Sequence, residues 1–302
     1  MFMGTPDIAA KSLAALLQQG HKVKAVFTRE DKPVGRKQLL TAPPVKVLAA
    51  ENRIPVYQPQ NLRSPETWAQ IEALAPELVV VVAYGRILPP QVLSIPRYGC
   101  INLHVSLLPK YRGAAPIQWA VINGEAATGV SIMQMDEGLD TGPVLKSQAI
   151  GIGPSQTAGE VFEMVTSIGA RLLCETVEQI EKGGLAAAPQ QGEASFAPPL
   201  TKEMAFVDFT RPAGQLHNLV RGCNPWPLAW FWHGGLRVKL LRTRLEHNLA
   251  GKPGEILLLN PLTIACGTGA LVLENLVPQG SRPMLGQEWA AGRRFTPGGF
   301  IV

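Results

Sequence analysis

The feature that most constrains this chain is an uninterrupted apolar run at residues 78–83, which reads Leu-Val-Val-Val-Val-Ala. A strand that is apolar at every position is buried on both faces, as in the centre of a parallel sheet covered by helices. Two helical patterns, at residues 45–52 and 65–74, precede this run. The alternation of helices with apolar strands predicts an α/β fold.

The beginning of the chain fits the same fold. Residues 1–3 are apolar, Thr5 and Pro6 are typical of the cap and first position of a helix, and residues 23–27 predict the second strand. This strand–helix–strand order is Rossmann-like. Because Gly4 stands alone, without the Gly-x-Gly-x-x-Gly pattern, we expect no dinucleotide. The sequence therefore predicts a Rossmann-like, mostly parallel sheet.

Two polar side chains interrupt the next strand, at residues 100–105. Asn102 and His104 are two positions apart and so share one face of that strand. Ligands of open α/β sheets bind outside the carboxyl ends of the strands. Asp140 lies in a glycine-bounded loop after another apolar segment, residues 130–135. Taken singly, a buried core histidine and a turn-forming aspartate explain these residues better, but together they predict an active site in which Asp140 partners His104.

The motifs around these residues resemble those of a known family. They read Asn-x-His-x-Ser-Leu-Leu-Pro at 102–109, Tyr-Arg-Gly at 111–113, Pro-Ile-x-Trp-Ala at 116–120 and Met-Asp-x-Gly-x-Asp-Thr-Gly at 135–142. This set resembles the formyltransferase family that uses 10-formyltetrahydrofolate. Gly-Thr-Pro-Asp at 4–7 and Asn-Pro-Trp-Pro at 224–227 resemble the branch whose acceptor is methionyl-initiator tRNA.

The resemblance implies a reaction and its residues. An amine would attack a formyl group carried by 10-formyltetrahydrofolate, the donor substrate. Asn102 and an imidazole N–H of His104 would stabilise the oxyanion, and Asp140 would orient the imidazole. The folate would lie against six residues, Ser106, Leu107, Leu108, Pro109, Ile87 and Leu88, although core packing explains Ile87 and Leu88 better when each is taken singly.

The second part of the chain has a different sequence pattern. Residues 185–202 are rich in Ala, Pro, Gln and Gly and predict a linker. Short strands follow, two of them joined by Gly234-Gly235, which is typical of a two-residue hairpin. We expect a formyltransferase domain at 1–184, a linker at 185–202 and a smaller C-terminal OB-like β-barrel domain at 203–302.

Charge is concentrated in that second part. Residues 203–302 hold ten Lys and Arg against six Asp and Glu, whereas residues 1–202 are nearly balanced. A basic domain suits a polyanionic partner, although a solvated basic face explains the charge alone equally well. With the resemblance, we expect six residues to contact tRNA: Arg36 and Lys37 in a mobile surface loop at 29–44, and Arg237, Lys239, Arg242 and Arg244.

Other classes of protein are excluded. The four cysteines, at 100, 174, 223 and 266, form no Cys-x-x-Cys pair, and histidines are not clustered, so we expect neither a zinc site nor a disulfide framework. No basic-then-apolar leader and no membrane-length apolar run is present. We therefore expect a cytoplasmic enzyme without metal or membrane, and by default a monomer.

Several functional alternatives remain open at this point. A sugar-nucleotide N-formyltransferase shares the catalytic motifs, although residues 224–227 and the basic second domain count against it. A formyltetrahydrofolate hydrolase would use water in place of the amine, and a tRNA-binding protein could keep an inactive site. A Ser106–His104–Asp140 hydrolase lacks the Gly-x-Ser-x-Gly elbow.

Overall fold

A computed structural model describes residues 1–35 and 37–301. These residues form two compact units. The first comprises residues 1–113, 129–150 and 163–196, and the second comprises residues 114–128, 151–162 and 197–302. Two short segments that the sequence-based boundaries give to the first domain, 114–128 and 151–162, thus belong to the second unit.

Most of the elements up to residue 181 alternate between strand and helix along the chain. In chain order they are β1 (Phe2–Gly4), α1 (Asp7–Gln18), β2 (Val26–Phe27), β3 (Lys32–Val34), β4 (Leu39–Thr41), α2 (Pro44–Glu51), β5 (Val56–Tyr57), α3 (Pro65–Ala73), β6 (Val79–Val82), α4 (Pro90–Leu93), β7 (Cys100–His104), β8 (Arg112–Gly113), α5 (Pro116–Ile122), β9 (Ala127–Gln134), β10 (Val144–Gly151) and α6 (Ala158–Glu181).

The main sheet has seven strands in the order β10-β9-β7-β6-β1-β2-β5. The pairs from β7 to β5 are parallel, and β7 pairs antiparallel with β9. All four valines of β6 are buried, as the apolar run at residues 78–83 predicts. Helix α1 packs its apolar side, with Ile8 and Leu13, out of solvent. The predicted α/β fold with a mostly parallel sheet is confirmed.

Thr5 does not cap α1 as expected. The residue before the helix is Pro6, and no side chain caps its N-terminus. The hydroxyl of Thr5 instead donates to the backbone oxygen of Tyr84, at 3.1 Å. The Thr5 hydroxyl therefore bonds to Tyr84, which follows β6, and not to the first turn of α1. Residues 4–7 alone carry no information about this distant acceptor.

The segment at 29–44 is more regular than predicted. Strands β3 and β4 pair antiparallel, with Lys32 opposite Thr41. The expectation of a loop without regular structure is wrong for these strands, because three-residue strands leave no periodicity in a sequence. Lys37 lies exposed in the turn between them, and Arg36 falls outside the described residues.

The remaining elements follow residue 195, and all except the first residue of β11 lie in the second unit. They are β11 (Phe196–Ala197), α7 (Ala213–Gly222), β12 (Ala229–His233), β13 (Leu236–Glu246), β14 (Ile256–Leu259), β15 (Leu262–Ala265), β16 (Ala270–Pro278), β17 (Met284–Leu285) and α8 (Gly286–Arg293).

The second unit contains an antiparallel sheet in the order β12-β13-β16-β15-β14, with β17 paired to β16. Gly234 and Gly235 join β12 to β13 with φ angles of 54° and 74°, so the predicted hairpin is confirmed. Its core includes Leu216 of α7, Phe231 of β12 and Trp289 of α8. Among the described strands no pairing joins β12 to β14, and what the structure shows is an antiparallel sheet. Within the described ranges, no helix is both long and apolar enough to cross a bilayer.

Candidate active site

Strand β7 presents the two polar side chains that interrupt its apolar sequence. It lies between β6 and β9, with Asn102 opposite Met133 and His104 opposite Ser131. His104 is buried and Asn102 is half-buried. Among the described residues the side-chain amide of Asn102 has no hydrogen-bond partner. The amide is therefore available to a ligand.

The imidazole of His104 is held from two sides. Its Nε2 lies 2.9 Å from the backbone oxygen of Tyr111. Because a carbonyl oxygen only accepts, Nε2 carries a proton and donates it to Tyr111. On the other side, Nδ1 lies 3.6 Å from Oδ2 of Asp140. The predicted pairing of His104 with Asp140 is thus present as a close contact, and Tyr111 is an additional partner.

Asp140 reaches this position from an unusual backbone conformation. Its φ angle is 53°, in the left-handed region that L-residues seldom adopt. Its Oδ2 accepts a hydrogen bond of 2.8 Å from the backbone N–H of Gly113. The carboxylate therefore faces both the Gly113 amide and the His104 imidazole, and all three catalytic candidates belong to the first unit.

The loop that carries Asp140 is shaped by its own side chains. Oδ1 of Asp136 accepts hydrogen bonds from the backbone N–H of Gly138, at 3.1 Å, and from the Thr141 hydroxyl, at 2.7 Å. Gly142 closes the loop where a Cβ would lie 1.8 Å from the backbone oxygen of Gln134. Only glycine fits there, so the loop returns tightly against the end of β9.

The turn after β7 uses its serine internally. Ser106 is fully buried, and its hydroxyl donates to the backbone oxygen of Lys110 at 2.6 Å. The hydroxyl of Ser131 donates to the backbone oxygen of Ser106 at 2.8 Å and accepts from the N–H of Leu108 at 3.2 Å. Ser106 thus bonds to Lys110 and not to His104, which counts against a Ser106 nucleophile. In the same turn, Leu107 is half-buried and Pro109 is buried.

Two cavities lie beside the other predicted folate contacts. One, of about 390 Å³, is lined by Arg63, Trp68, Ile87, Leu88, Pro89, Pro90, Gln91 and Glu137. The other, of about 600 Å³, is lined by Pro90, Gln91, Leu93, Ser94, Met135, Asp136 and Glu137. Leu88 is buried, whereas 74% of Ile87 is exposed. Ile87 therefore presents an apolar surface for which the core provides no partner.

Sequence reasoning missed one residue that contacts this site. Gln190 donates from Nε2 to the backbone oxygens of Asp140 and Gly142, at 2.8 Å each. Its Oε1 accepts from Nε and an outer nitrogen of Arg112, at 3.2 and 2.6 Å. Gln190 lies in the segment predicted to be a linker, and no local pattern distinguishes it from the neighbouring Gln191.

The basic residues of β13 differ in their surroundings. Arg237 and Lys239 share a face with Trp232 and Trp230, which lie opposite them in β12. The guanidinium of Arg237 lies 4.2 Å from the ring centre of Trp230 and 5.3 Å from that of Trp232. Lys239 is exposed. Arg237 is therefore partly engaged by aromatic rings, and Lys239 is the more accessible cation.

The other two arginines of β13 contact carboxylates. Arg242 forms a 2.6 Å ion pair with Glu160, whose pKa is lowered chiefly by the backbone N–H of Thr157 and further by Arg242. Arg244 lies 3.8 Å from Glu246 and 3.7 Å from Glu274. These pairs reduce the positive charge that the sequence alone suggests for this strand.

The cysteines that the structure describes are buried. Burial raises the pKa of the Cys100, Cys223 and Cys266 thiols to about 12, so they are protonated at neutral pH. Within the part of the chain that the structure describes, no cluster of three or more His, Cys, Asp or Glu side chains could hold a metal ion.

Comparison with known proteins assigns both parts of the chain. A formyl transferase family model matches residues 1–177, and a model of the formyl transferase C-terminal domain matches residues 199–294. Methionyl-tRNA formyltransferase of Geobacter metallireducens is 45% identical over 301 residues, which are 99% of this chain and 96% of the relative. The chain belongs to the methionyl-tRNA formyltransferase family. The enzyme of this name from Pelotomaculum thermopropionicum is 44% identical over 302 residues, 99% of this chain and 96% of that protein.

Solved structures outside the methionyl-tRNA formyltransferase family share its fold at low sequence identity. An N-formyltransferase from Helicobacter canadensis, in complex with folinic acid and dTDP-3-aminofucose, has a TM-score of 0.68 at 18% identity, over 94% of this chain and 98% of that one. HypX from Aquifex aeolicus, in complex with tetrahydrofolic acid, has a TM-score of 0.64 at 19% identity, over 96% of this chain and 46% of HypX. The present chain thus matches less than half of HypX.

Proposed function

We propose that this chain transfers the formyl group of 10-formyltetrahydrofolate to the α-amino group of methionyl-initiator tRNA. The observation that carries the chemistry is the contact of the His104 imidazole with the Asp140 carboxylate, next to Asn102, which lies two positions before His104 on β7. The acceptor is supported by similarity over nearly the full chain to proteins named methionyl-tRNA formyltransferase.

The first step is attack of the neutral amine on the formyl carbon. An α-amino group has a pKa of about 8, and the adjacent ester lowers it, so much of the amine is already neutral. The main task is therefore to stabilise the oxyanion that develops on the formyl oxygen. The proposed donor is the amide of Asn102, which has no hydrogen-bond partner among the described residues, together with an imidazole N–H of His104.

Two proton transfers complete the reaction. The amine loses a proton as the new C–N bond forms, and Asp140 or a water bound to it is the proposed acceptor. The bond from the formyl carbon to the folate nitrogen then breaks, and that nitrogen takes a proton from His104. Nδ1 lies 3.6 Å from Oδ2 of Asp140, longer than a hydrogen bond, so the two groups must approach each other before the proton taken up by Asp140 passes to His104.

The proposed donor site lies on the first unit. The folate would contact the turn from Ser106 to Pro109, with its flat ring against Ile87 and Leu88. The 390 Å³ cavity lined by Ile87 and Leu88 supports this placement. The HypX crystal contains tetrahydrofolic acid and the Helicobacter enzyme contains folinic acid, and both folates support a folate as the formyl donor here.

The proposed tRNA contacts come from both parts of the chain. They are Arg36, Lys37, Arg237, Lys239, Arg242 and Arg244. The exposure of Lys37 and Lys239 supports a role for these two, and the contacts would be with phosphates, independent of sequence. We also propose the boundaries 1–184, 185–202 and 203–302, an OB-like barrel for the last part, a cytoplasmic location and a monomer.

A transfer assay tests this function. The full chain is incubated with 10-formyltetrahydrofolate labelled in its formyl group and with one of four acceptors: methionyl-initiator tRNA, uncharged initiator tRNA, a dTDP-linked amino sugar, or buffer. We expect label only on the charged tRNA, as formyl-methionine. Label on the amino sugar would favour a sugar N-formyltransferase, and equal release of formate in every tube would favour a hydrolase. Either result would overturn the proposal.

A further inference from the structure

The segment at 188–196 does more than join two parts of the chain. Ala188 and Val144 exchange two backbone hydrogen bonds of 2.8 Å. Near the other end, Ser195 accepts at its hydroxyl from the N–H of Tyr111, at 2.9 Å, and at its backbone oxygen from the N–H of Arg112, at 2.8 Å. The segment is therefore bonded to the edge of β10 and to the residues that follow the Ser106 turn.

Gln190 lies between these two attachments and uses its whole amide. An amide nitrogen has two protons to donate and an amide oxygen two lone pairs to accept with. Nε2 donates to the backbone oxygens of Asp140 and Gly142, and Oε1 accepts from two nitrogens of Arg112. Carbonyl oxygens only accept and a guanidinium only donates, so the reversed orientation of the amide would break all four bonds.

Both loops that Gln190 joins act on the carboxylate of Asp140. The first contains Arg112 and, next to it, Gly113, whose N–H donates to Oδ2 of Asp140 at 2.8 Å. The second contains Asp140 itself, whose left-handed backbone needs support from its surroundings. One side chain thus bridges the loop that contains the Gly113 amide and the loop that contains the Asp140 carboxylate.

We propose that Gln190 is a positioning residue for the Asp140–His104 pair, a role that rests on the proposed function. Gln190 touches neither the imidazole nor the carboxylate, and acts by fixing the two loops that hold them. Replacing Gln190 should therefore disturb the chemical step more than the binding of either substrate.

Two variants test the hydrogen bonds of the Gln190 amide. Gln190→Leu removes both the donors and the acceptors. Gln190→Glu keeps an acceptor for Arg112 but turns a charged oxygen toward the backbone oxygens of Asp140 and Gly142, so the second loop is released. We expect both to lower kcat by about tenfold to a hundredfold, because small displacements of reacting groups have effects of this size, while KM for each substrate changes little. Gln191→Leu is the matched control, since Gln191 is exposed.

A double-mutant cycle distinguishes positioning from a general structural effect. If Gln190 acts through the Asp140 carboxylate, Gln190→Leu should have little further effect on kcat once Asp140→Asn is present. Full additivity of the two changes would overturn the inference, as would wild-type kcat in Gln190→Leu, or a loss confined to KM.

A spectroscopic measurement tests the same inference without the reaction. In protein labelled with ¹⁵N-histidine, the ring-nitrogen shifts of His104 are assigned with His104→Gln and compared across variants. They should change in Gln190→Leu and not in Gln191→Leu. Unchanged shifts would contradict the inference even in an active enzyme, whereas absence of formyl transfer by the wild type would contradict only the proposed function.

Discussion

The backbone oxygen of Tyr111 accepts a hydrogen bond from Nε2 of His104, at 2.9 Å. Tyr111 itself has a φ angle of 59°, so the turn that presents this oxygen is held in the left-handed region. The bond commits Nε2 to the protein, and Nδ1 is the nitrogen nearer to Asp140. Of the two proposed oxyanion donors, Asn102 is thus the one whose hydrogens have no competing acceptor among the described residues.

Asn102→Ala should therefore lower kcat by about two to three powers of ten, the usual effect of removing one oxyanion donor. The loss should appear in single-turnover formyl transfer, with the circular dichroism spectrum unchanged. Asn248→Ala, which changes an exposed asparagine, is the control. A loss below about tenfold would assign Asn102 a structural role.

Asp140→Asn should be similarly damaging, with folate binding largely kept. An amide oxygen can still accept from the Gly113 N–H, so the loop keeps its shape, but the negative charge facing His104 is gone. We expect a fall in kcat of about a hundredfold or more, in the range for loss of a general base or its orienting partner. Glu51→Gln, at an exposed carboxylate, should have wild-type kcat. A parallel loss of folate affinity in Asp140→Asn would contradict this account.

Gly142→Ala should disrupt the loop that carries Asp140. The added Cβ would lie 1.8 Å from the backbone oxygen of Gln134, and no flexible side chain can move aside to relieve that contact. We expect at least about a tenfold loss of kcat/KM, because Asp140 must shift relative to His104. Gly151→Ala is the matched control, since no atom lies within 4 Å of its Cβ position. Equal activity of the two variants would show that the loop tolerates displacement.

Features set by residues close in sequence could be predicted. Asn102 and His104 lie on one strand, as their spacing indicates, and the Gly234-Gly235 hairpin forms as expected. At the start of α6, Thr157 and Glu160 are only three residues apart and exchange the hydrogen bonds of a capping box, at 2.8 and 3.2 Å.

Features that depend on contacts between distant parts of the chain could not be predicted from the sequence. Gln190 is 50 residues from Asp140 and 78 from Arg112, and its hydrogen bonds exist only once the fold has formed. The pairing of Arg242 with Glu160 joins residues 82 positions apart. The number of basic residues therefore overstated the free positive charge of β13, and composition gave no sign that the predicted linker also bonds to the loops of the site.

The cations of β13 should contribute unequally to tRNA binding. Lys239 is exposed, whereas Arg242 is paired with Glu160, so Lys239→Gln should reduce the slope of log affinity against log salt by up to about 0.9, and Arg242→Gln by less. Neutralising Arg237, Lys239, Arg242 and Arg244 together should weaken binding and flatten the slope further. Filter binding of methionyl-initiator tRNA across salt concentrations measures both. Lys22→Gln, at an exposed lysine of the first unit, is the control. An unchanged slope in the fourfold variant would show that these four residues do not contact the tRNA.

The buried ring of His217 should make the stability of the second unit depend on pH. Its Nε2 donates to the backbone oxygen of Pro154 and its Nδ1 accepts from the Thr243 hydroxyl, both at 3.0 Å, so the neutral ring is fully bonded. Burial, assisted by the charge of Arg221, lowers the pKa of His217 below 6.5, although the bond to Pro154 and the charge of Glu274 oppose this. The folded state therefore disfavours protonation of the ring.

The sign of the effect follows from proton uptake. Between the lowered pKa and 6.5 the unfolded chain binds a proton that the folded chain does not, so stability falls as the pH drops through this window and is fully regained above it. His217→Gln keeps a donor for Pro154 but cannot titrate, so its thermal unfolding midpoint should fall less than that of the wild type below pH 6.5. His247→Gln, at an exposed histidine, should follow the wild type. Identical pH profiles for His217→Gln and the wild type would show that this ring is not the group responsible.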